Sequence, residues 1–183
     1  MACTTTAGAA AKPLYVLLLL LSLSLPRSLA DKEFLDFTCS KIRHPRDCVS
    51  VLKSDPRSFA VDNVAGLMNI AFDITMAGAD ATLSNIDKLA KQHPGLSEET
   101  ALSQCWTLYT KAIDDLKEAK AETSKKMSND AALDLIASAR KASRKCEEMF
   151  KKLNVASPMS LENRMMGKRC GVCYGLVFFQ SID

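Results

Sequence analysis

The chain has 183 residues, of which 48% are hydrophobic, 25% charged and 6% aromatic. This composition is typical of one globular domain and excludes disordered and collagen-like chains. The formal net charge is only +3, from 24 basic and 21 acidic residues, so neither a nucleic-acid-binding protein nor one that binds anionic membranes is predicted. Seven cysteines are many for a cytosolic protein of this size. Whether they form disulfides, bind metal or act in catalysis depends on the compartment of the protein.

The N-terminus has the pattern of a secretory signal peptide. An apolar run from Leu14 to Leu25 follows Lys12, and the small residues Ser28 and Ala30 precede a cleavage site after Ala30. The run is shorter than the roughly 20 residues of a membrane-spanning helix. We therefore expect residues 1–30 to be removed and the mature chain to be secreted, with no membrane association. A signal anchor is the alternative.

Residues 31–52 contain two short helical segments on either side of a turn at Pro45. Cys39 lies in the first segment and Cys48 in the second. A turn at Pro45 brings the two thiols together, and pairing is the default in an oxidising compartment. We predict that a Cys39–Cys48 disulfide closes this helical hairpin.

Three long amphipathic helices follow the hairpin. Apolar residues recur at three- and four-residue steps from Ser58 to His93, from Ser97 to a polar break at 123–129, and from about Asp130 to Leu153. The hydroxyl of Ser97 is expected to cap the second of these helices. Short connections between long helices, without a run of alternating β-branched residues, predict an all-α antiparallel helix bundle.

The bundle geometry predicts a second disulfide. Cys105 and Cys146 lie at nearly equal distances before and after the polar break, so they reach the same level of two antiparallel helices. Each also lies on the apolar stripe of its helix, which directs the two side chains toward each other. We predict a Cys105–Cys146 disulfide, with the neighbouring Trp106 in the core or half-buried.

Two more cysteines, Cys170 and Cys173, form a Cys-Gly-Val-Cys pair near the C-terminus. A structural zinc site needs four ligands, and His44 and His93 are the only histidines that the chain could add. A redox dithiol would be expected beside a strand and a helix, which this tail does not suggest. We interpret the pair as structural, intermolecular or incidental, and we predict no catalytic residue, no metal and no cofactor.

Charged clusters are interpreted as solvated helix surface. The adjacent carboxylates Asp114 and Asp115 diverge by about 100° on a helix and cannot flank one glycosidic bond. The basic side chains include one set for which contact with an acidic enzyme or an acidic polysaccharide is the alternative to simple solvation. These are Lys120, Lys125, Lys126, Lys141, Arg144, Lys145, Lys151 and Lys152.

Three cysteine-containing segments resemble, in order, those of the plant invertase and pectin methylesterase inhibitor family. They read Cys39-Ser-Lys-Ile-Arg-His-Pro-Arg-Asp-Cys48, Cys105-Trp-Thr-Leu-Tyr109 and Cys146-Glu-Glu-Met-Phe150. The resemblance covers about residues 35–162 and implies a four-helix bundle with an N-terminal hairpin over residues 31–162. It also implies an apoplastic, cell-wall protein without catalysis that binds pectin methylesterase or an acid invertase, usually one to one.

One family determinant is absent. Invertase-directed members carry Pro-Lys-Phe before the fourth-cysteine helix, where this chain reads Ser124-Lys125-Lys126-Met127. We therefore favour pectin methylesterase as the target and take Lys125, Lys126 and Met127 as candidate partner contacts. The alternative is a non-inhibitory extracellular binding or structural protein with the same fold. The oligomeric state is left open.

Residues 163–183 depart from the amphipathic last helix of the family. They contain Gly167, Gly171 and Gly175, and each glycine weakens a helix by about 1 kcal/mol relative to alanine. We treat the segment as a divergent tail, explained by an altered last helix, an alternative transcript end or a faulty gene model. Without a last helix, the bundle would expose an apolar groove and be unstable or associate.

Overall fold

The chain forms a helical hairpin before the long helices. The computed structural model describes residues 27–92, 95–125 and 129–181, with side chains from Lys32 onward. Helix α1 spans Arg27–Ser40 and helix α2 spans Pro45–Leu52. Pro45 is the first residue of α2. Proline suits this position because an N–H group there would have no carbonyl partner within the helix. The predicted Cys39–Cys48 disulfide is confirmed and joins the two helices, with 5.5 Å between the Cα atoms.

The predicted signal peptide falls almost entirely outside the described residues. Of residues 1–30, only the main chain of 27–30 is described, as the beginning of α1. None of the described helices is both long enough and apolar enough to span a membrane.

Four long helices form the bundle. They are α3, Val64–Gln92; α4, Leu96–Glu122; α5, Asp130–Lys152; and α6, Ser160–Gln180. Each of them packs on the next along the chain, and α6 returns to pack on α3. Short connections make consecutive helices antiparallel. The predicted all-α fold, a disulfide-stapled four-helix bundle with an N-terminal hairpin, is confirmed for the part of the chain that the structure describes.

Two helix starts differ from the prediction. Residues 56–59 form a separate 3-10 turn, capped by the Asp55 carboxylate, so α3 begins at Val64 rather than at Ser58. The predicted Ser97 cap is wrong. The first main-chain hydrogen bond of α4 runs from Glu99 N–H to the carbonyl of Gly95 over 2.9 Å, which places Ser97 inside the first turn, where its hydroxyl makes no cap.

Cys105 and Cys146 are bonded as predicted. Their Cα atoms are 4.8 Å apart, and both residues are fully buried between α4 and α5. Trp106, next to this bridge, lies at the surface with 43% of its area exposed. The core of the bundle contains the largest fully buried side chains, among them Phe72, Leu102, Tyr109, Leu116, Ile136, Phe150 and Met166.

The C-terminal segment is an uninterrupted helix. The proposed boundary between residues 162 and 163 falls within α6, and all three glycines lie inside that helix. One face of α6 is buried against α3 and α5 through Asn163, Met166, Cys170, Val172, Cys173, Leu176 and Val177. Of the explanations offered for this segment, an altered last helix agrees with the structure. Packing outweighs the weak helix propensity of the segment.

Loss of the two disulfides should have unequal effects on stability. In the chain-entropy model, the longer loop between Cys105 and Cys146 stabilises the protein by about 4 kcal/mol and the shorter one between Cys39 and Cys48 by about 2.7 kcal/mol. Replacing each pair by two alanines should lower the free energy of unfolding in that order, as measured by urea denaturation. Equal losses would contradict this loop-length account.

Candidate functional site

A partly buried polar network holds the first turn of α6 against α4 and α5. The Tyr109 hydroxyl donates to Asn163 Oδ1 over 2.9 Å, and Asn163 Nδ2 donates to Glu147 Oε2 over 2.7 Å. The hydroxyls of Ser157 and Ser160 also donate to the Glu147 carboxylate, over 2.9 and 2.6 Å. One carboxylate therefore organises both the connection before α6 and the beginning of that helix.

The network favours an ionised Glu147 and a neutral Tyr109. Burial by itself would raise the pKa of Glu147, but hydrogen bonds from Ser160, Asn163 and Ser157 lower the pKa below its ordinary value. Burial is the main cause that raises the pKa of Tyr109 far above its usual range. The phenol therefore stays protonated and remains a donor to Asn163.

The hairpin is held against the second half of α6. A Cβ atom at Gly175 would lie 3.0 Å from both Cβ and Cδ1 of Ile42, so the missing side chain allows the turn after α1 to approach the helix closely. Lys168 Nζ on α6 lies 2.8 Å from Asp47 Oδ1 on α2. These contacts make the hairpin one wall of the cavity described next.

A groove with a volume of about 680 Å³ lies between the turn of the hairpin, α5 and α6. We call it the basic groove because five cationic side chains line it together with His44, and none of its described lining residues carries a carboxylate. Its apolar part comes from Ile42, Ile136 and the aromatic rings of α6. The five cations are Lys41, Arg43, Arg140, Lys141 and Arg144, and the aromatic residues are Tyr174, Phe178 and Phe179.

The candidate contact loop between α4 and α5 is described in part. Lys125 is exposed, and its Nζ lies 2.5 Å from Glu122 Oε1. Lys126 and Met127 lie outside the described residues. Asn129 Nδ2 donates to the carbonyl of Val177 over 3.4 Å, so the loop rejoins the bundle beside the α6 residues that line the basic groove. Partner contact by this loop stays a prediction.

Cys170 and Cys173 are unpaired and completely buried. Burial raises the pKa of the Cys173 thiol to about 12, although the Thr75 hydroxyl, 3.3 Å from its sulfur, acts in the opposite direction. The pKa of Cys170 is raised as well, chiefly by burial. Both thiols are therefore protonated at physiological pH, which suits apolar core residues and not a redox pair. Their burial also rules out an intermolecular bridge in the folded protein.

The two histidines do not assemble a metal or catalytic site in the described structure. His44 is exposed in the turn before α2, and His93 lies outside the described residues. Across residues 27–92, 95–125 and 129–181, no group of three or more histidine, cysteine, aspartate or glutamate side chains could hold a metal ion.

The sequence did not predict the basic groove. Lys141 and Arg144 belong to the basic set interpreted above as solvated surface, with contact with an acidic enzyme or polysaccharide as the alternative, whereas Arg43 and Arg140 were not singled out. A local signal was present in α6, where Tyr174 and Phe178 are one helical turn apart and expose 40% and 51% of their area.

Comparison with known proteins identifies relatives of the chain. Residues 33–176 match the family model for plant invertase/pectin methylesterase inhibitor. A pectinesterase inhibitor from Actinidia deliciosa is 34% identical over 95 residues, which are 52% of this chain and 51% of that protein, so the match spans about half of its length. Cell wall / vacuolar inhibitor of fructosidase 2 from Arabidopsis thaliana is 26% identical over 172 residues, 90% of this chain and 94% of that protein.

Two solved structures share the fold. A mutant form A of a pectin methylesterase inhibitor from Arabidopsis superposes with a TM-score of 0.64 at 21% identity, over 76% of this chain and 92% of that chain. A pectin methylesterase inhibitor from Arabidopsis thaliana gives a TM-score of 0.57 at 20% identity, over 79% and 93%. At these identities the similarity establishes the architecture alone.

Glu147→Gln should make stability less dependent on pH. Because the folded-state pKa of Glu147 is lowered, its stabilisation is fully present above the unfolded-state value of about 4.3 and is lost as the pH falls through the folded-state value. We expect the variant to lose about 1–3 kcal/mol of unfolding free energy near neutral pH. Urea denaturation at several pH values should show this difference shrinking in acid. A difference that does not change with pH would contradict the role of the carboxylate.

Gly171→Ala should stabilise the protein, whereas Gly175→Ala should not. No atom lies within 4 Å of a Cβ added at Gly171, so alanine there gains up to about 1 kcal/mol of helix propensity. At Gly175 the same methyl group would crowd Ile42 at 3.0 Å. Thermal and urea unfolding of the two variants provide the comparison. A larger gain at Gly175 would show that the hairpin is not held closely against α6.

Proposed function

Because the chain belongs to the plant invertase/pectin methylesterase inhibitor family, we propose that it is a secreted inhibitor of a pectin methylesterase in the cell wall. The match extends from residue 33 to residue 176 and so includes most of the hairpin, both disulfides and most of α6. Members of this family are inhibitors and not enzymes. The observation that carries the proposal is therefore the disulfide-stapled bundle that this match spans.

Two observations favour pectin methylesterase over invertase as the target. The stretch Ser124–Met127 lacks the Pro-Lys-Phe motif expected of invertase-directed members. The relative named as a pectinesterase inhibitor also has the higher identity, although over a shorter alignment. The identities alone do not separate the two targets, so the proposal depends mainly on the loop.

The proposed mechanism is occlusion of the active site of the enzyme by a rigid surface. Lys125 and Lys126 place positive charge at the connection between α4 and α5, and Met127 adds an adaptable apolar side chain. Family resemblance implies a target with carboxylates at its active site, so these cations would be complementary to the partner. The helices on both sides of the loop are joined covalently through Cys105 and Cys146. The disulfide holds these helices together before binding, so less conformational entropy is lost when the enzyme binds.

The test is a titration of the secreted, oxidised protein against one plant pectin methylesterase and one cell-wall invertase at mildly acidic pH. We expect dose-dependent loss of the pectin methylesterase activity. Lys125→Glu/Lys126→Glu should weaken inhibition by about tenfold or more, or about 1.4 kcal/mol, because two complementary charges become repulsive.

The matched control is Lys88→Glu/Lys91→Glu. These two lysines are exposed on the last turns of α3, at the opposite end of the bundle from the loop, and their reversal changes the net charge equally. Equal weakening by both variants would contradict a specific contact of the loop. Inhibition of invertase alone would reverse the choice of target, and a helical, folded protein that inhibits neither enzyme would favour the non-inhibitory alternative.

A further inference from the structure

The cations of the basic groove lack the carboxylate partners that some other cations of the bundle have. Lys120 Nζ, for example, lies 2.5 Å from Asp73 Oδ1, and Lys168 Nζ lies 2.8 Å from Asp47 Oδ1. The five cations of the groove are all exposed, and none is paired with a carboxylate among the residues that the structure describes. Lys41 instead lies over the ring of Phe37, 4.8 Å from its centroid.

The cations come from separate parts of the chain and converge on one cavity. Lys41 and Arg43 lie in the hairpin turn, whereas Arg140 and Arg144 lie one turn apart on α5, about 6 Å along the helix axis. The groove therefore has positive charge on two walls. A single counter-ion would leave most of that charge unneutralised, whereas a linear chain of anions could follow both walls.

The floor of the groove is apolar, whereas its walls are positively charged. Gly171 and Gly175 place no side chain on this face of α6, and no atom lies within 4 Å of a Cβ built at Gly171. The exposed rings of Tyr174 and Phe178 line the same floor. An apolar floor with a few charged groups around it is the usual form of a ligand site, and about 680 Å³ is within the usual size range.

We propose that the basic groove binds a carboxylate-bearing polysaccharide, namely a uronic-acid oligomer such as de-esterified pectin. Each sugar of such a chain offers a carboxylate to arginine and lysine and an apolar ring face to Tyr174 or Phe178. The choice of this polymer rests on the proposed function, because removal of methyl esters from pectin is what creates these carboxylates. Binding would hold the protein on stretches of wall where the enzyme has already acted.

Binding can be measured without any enzyme, so failure of the proposed inhibition would not affect the result. The secreted, oxidised protein is titrated by calorimetry with a fully de-esterified galacturonic-acid oligomer and with its fully methyl-esterified counterpart. We expect the acidic oligomer to bind at least about tenfold more tightly, with affinity that falls as salt is added. Equal affinity for the two oligomers, or no binding of the acidic one, would overturn the proposal.

Two variants and one control test whether the oligomer binds in the basic groove. Arg140→Glu/Arg144→Glu should weaken binding of the acidic oligomer at least tenfold, whereas the control Lys151→Glu/Lys152→Glu, with the same charge change on exposed residues at the end of the same helix, should weaken it less than threefold. Gly171→Leu should also weaken binding while leaving every charge in place, because its side chain would fill the floor. Circular dichroism and urea unfolding verify that the variants are folded.

The outcomes separate the polysaccharide from an acidic protein surface. If Arg140→Glu/Arg144→Glu abolishes inhibition of the enzyme and the wild-type protein binds no oligomer, the groove belongs to the protein interface and the proposal is wrong. Equal weakening by the groove and control variants would mean diffuse charge attraction and would also overturn it. Loss of oligomer binding with inhibition intact would support a separate polysaccharide site.

Discussion

The covalent link between α4 and α5 is the constraint on which the other contacts depend. Cys105 and Cys146 bring the two helices to within 4.8 Å at their Cα atoms, and the polar network starts beside this point. Tyr109 follows Cys105 by one turn, and Glu147 follows Cys146 directly, so the bridge sets the separation at which both can reach Asn163. The position of α6 is thus determined by a disulfide in which it has no part.

Helix α6 shows how tertiary packing overrides local preference. Its three glycines would make it a weak helix in isolation, yet it buries a continuous face that includes Met166, Cys170 and Cys173. The two thiols act as small apolar side chains there, because burial keeps them protonated. Two of the glycines also shape the surface: Gly175 admits Ile42, and Gly171 leaves the floor of the basic groove open.

The two proposed surfaces of the protein are adjacent. The loop that contains Lys125 rejoins the bundle through Asn129, which contacts the main chain of α6 at Val177. Phe178, the next residue, lines the basic groove. A protein bound to de-esterified pectin through the groove would present the loop near the polymer on which its proposed target acts.

The sequence by itself determined the features that depend on residues close in the chain or on a simple periodicity. Helical spacing predicted the long helices to within a few residues at most ends, and counting outward from one polar break paired Cys105 with Cys146. The prediction failed at Ser97, because the helix is capped at Gly95, two residues before that hydroxyl. It also left the structure of residues 163–183 open, because glycine content describes helix propensity and not packing. Only the tertiary structure decided that this segment closes the bundle and that the basic groove exists. Lys41, Arg140 and Tyr174 are far apart in sequence, and their convergence depends on how the hairpin, α5 and α6 pack, which no local pattern encodes.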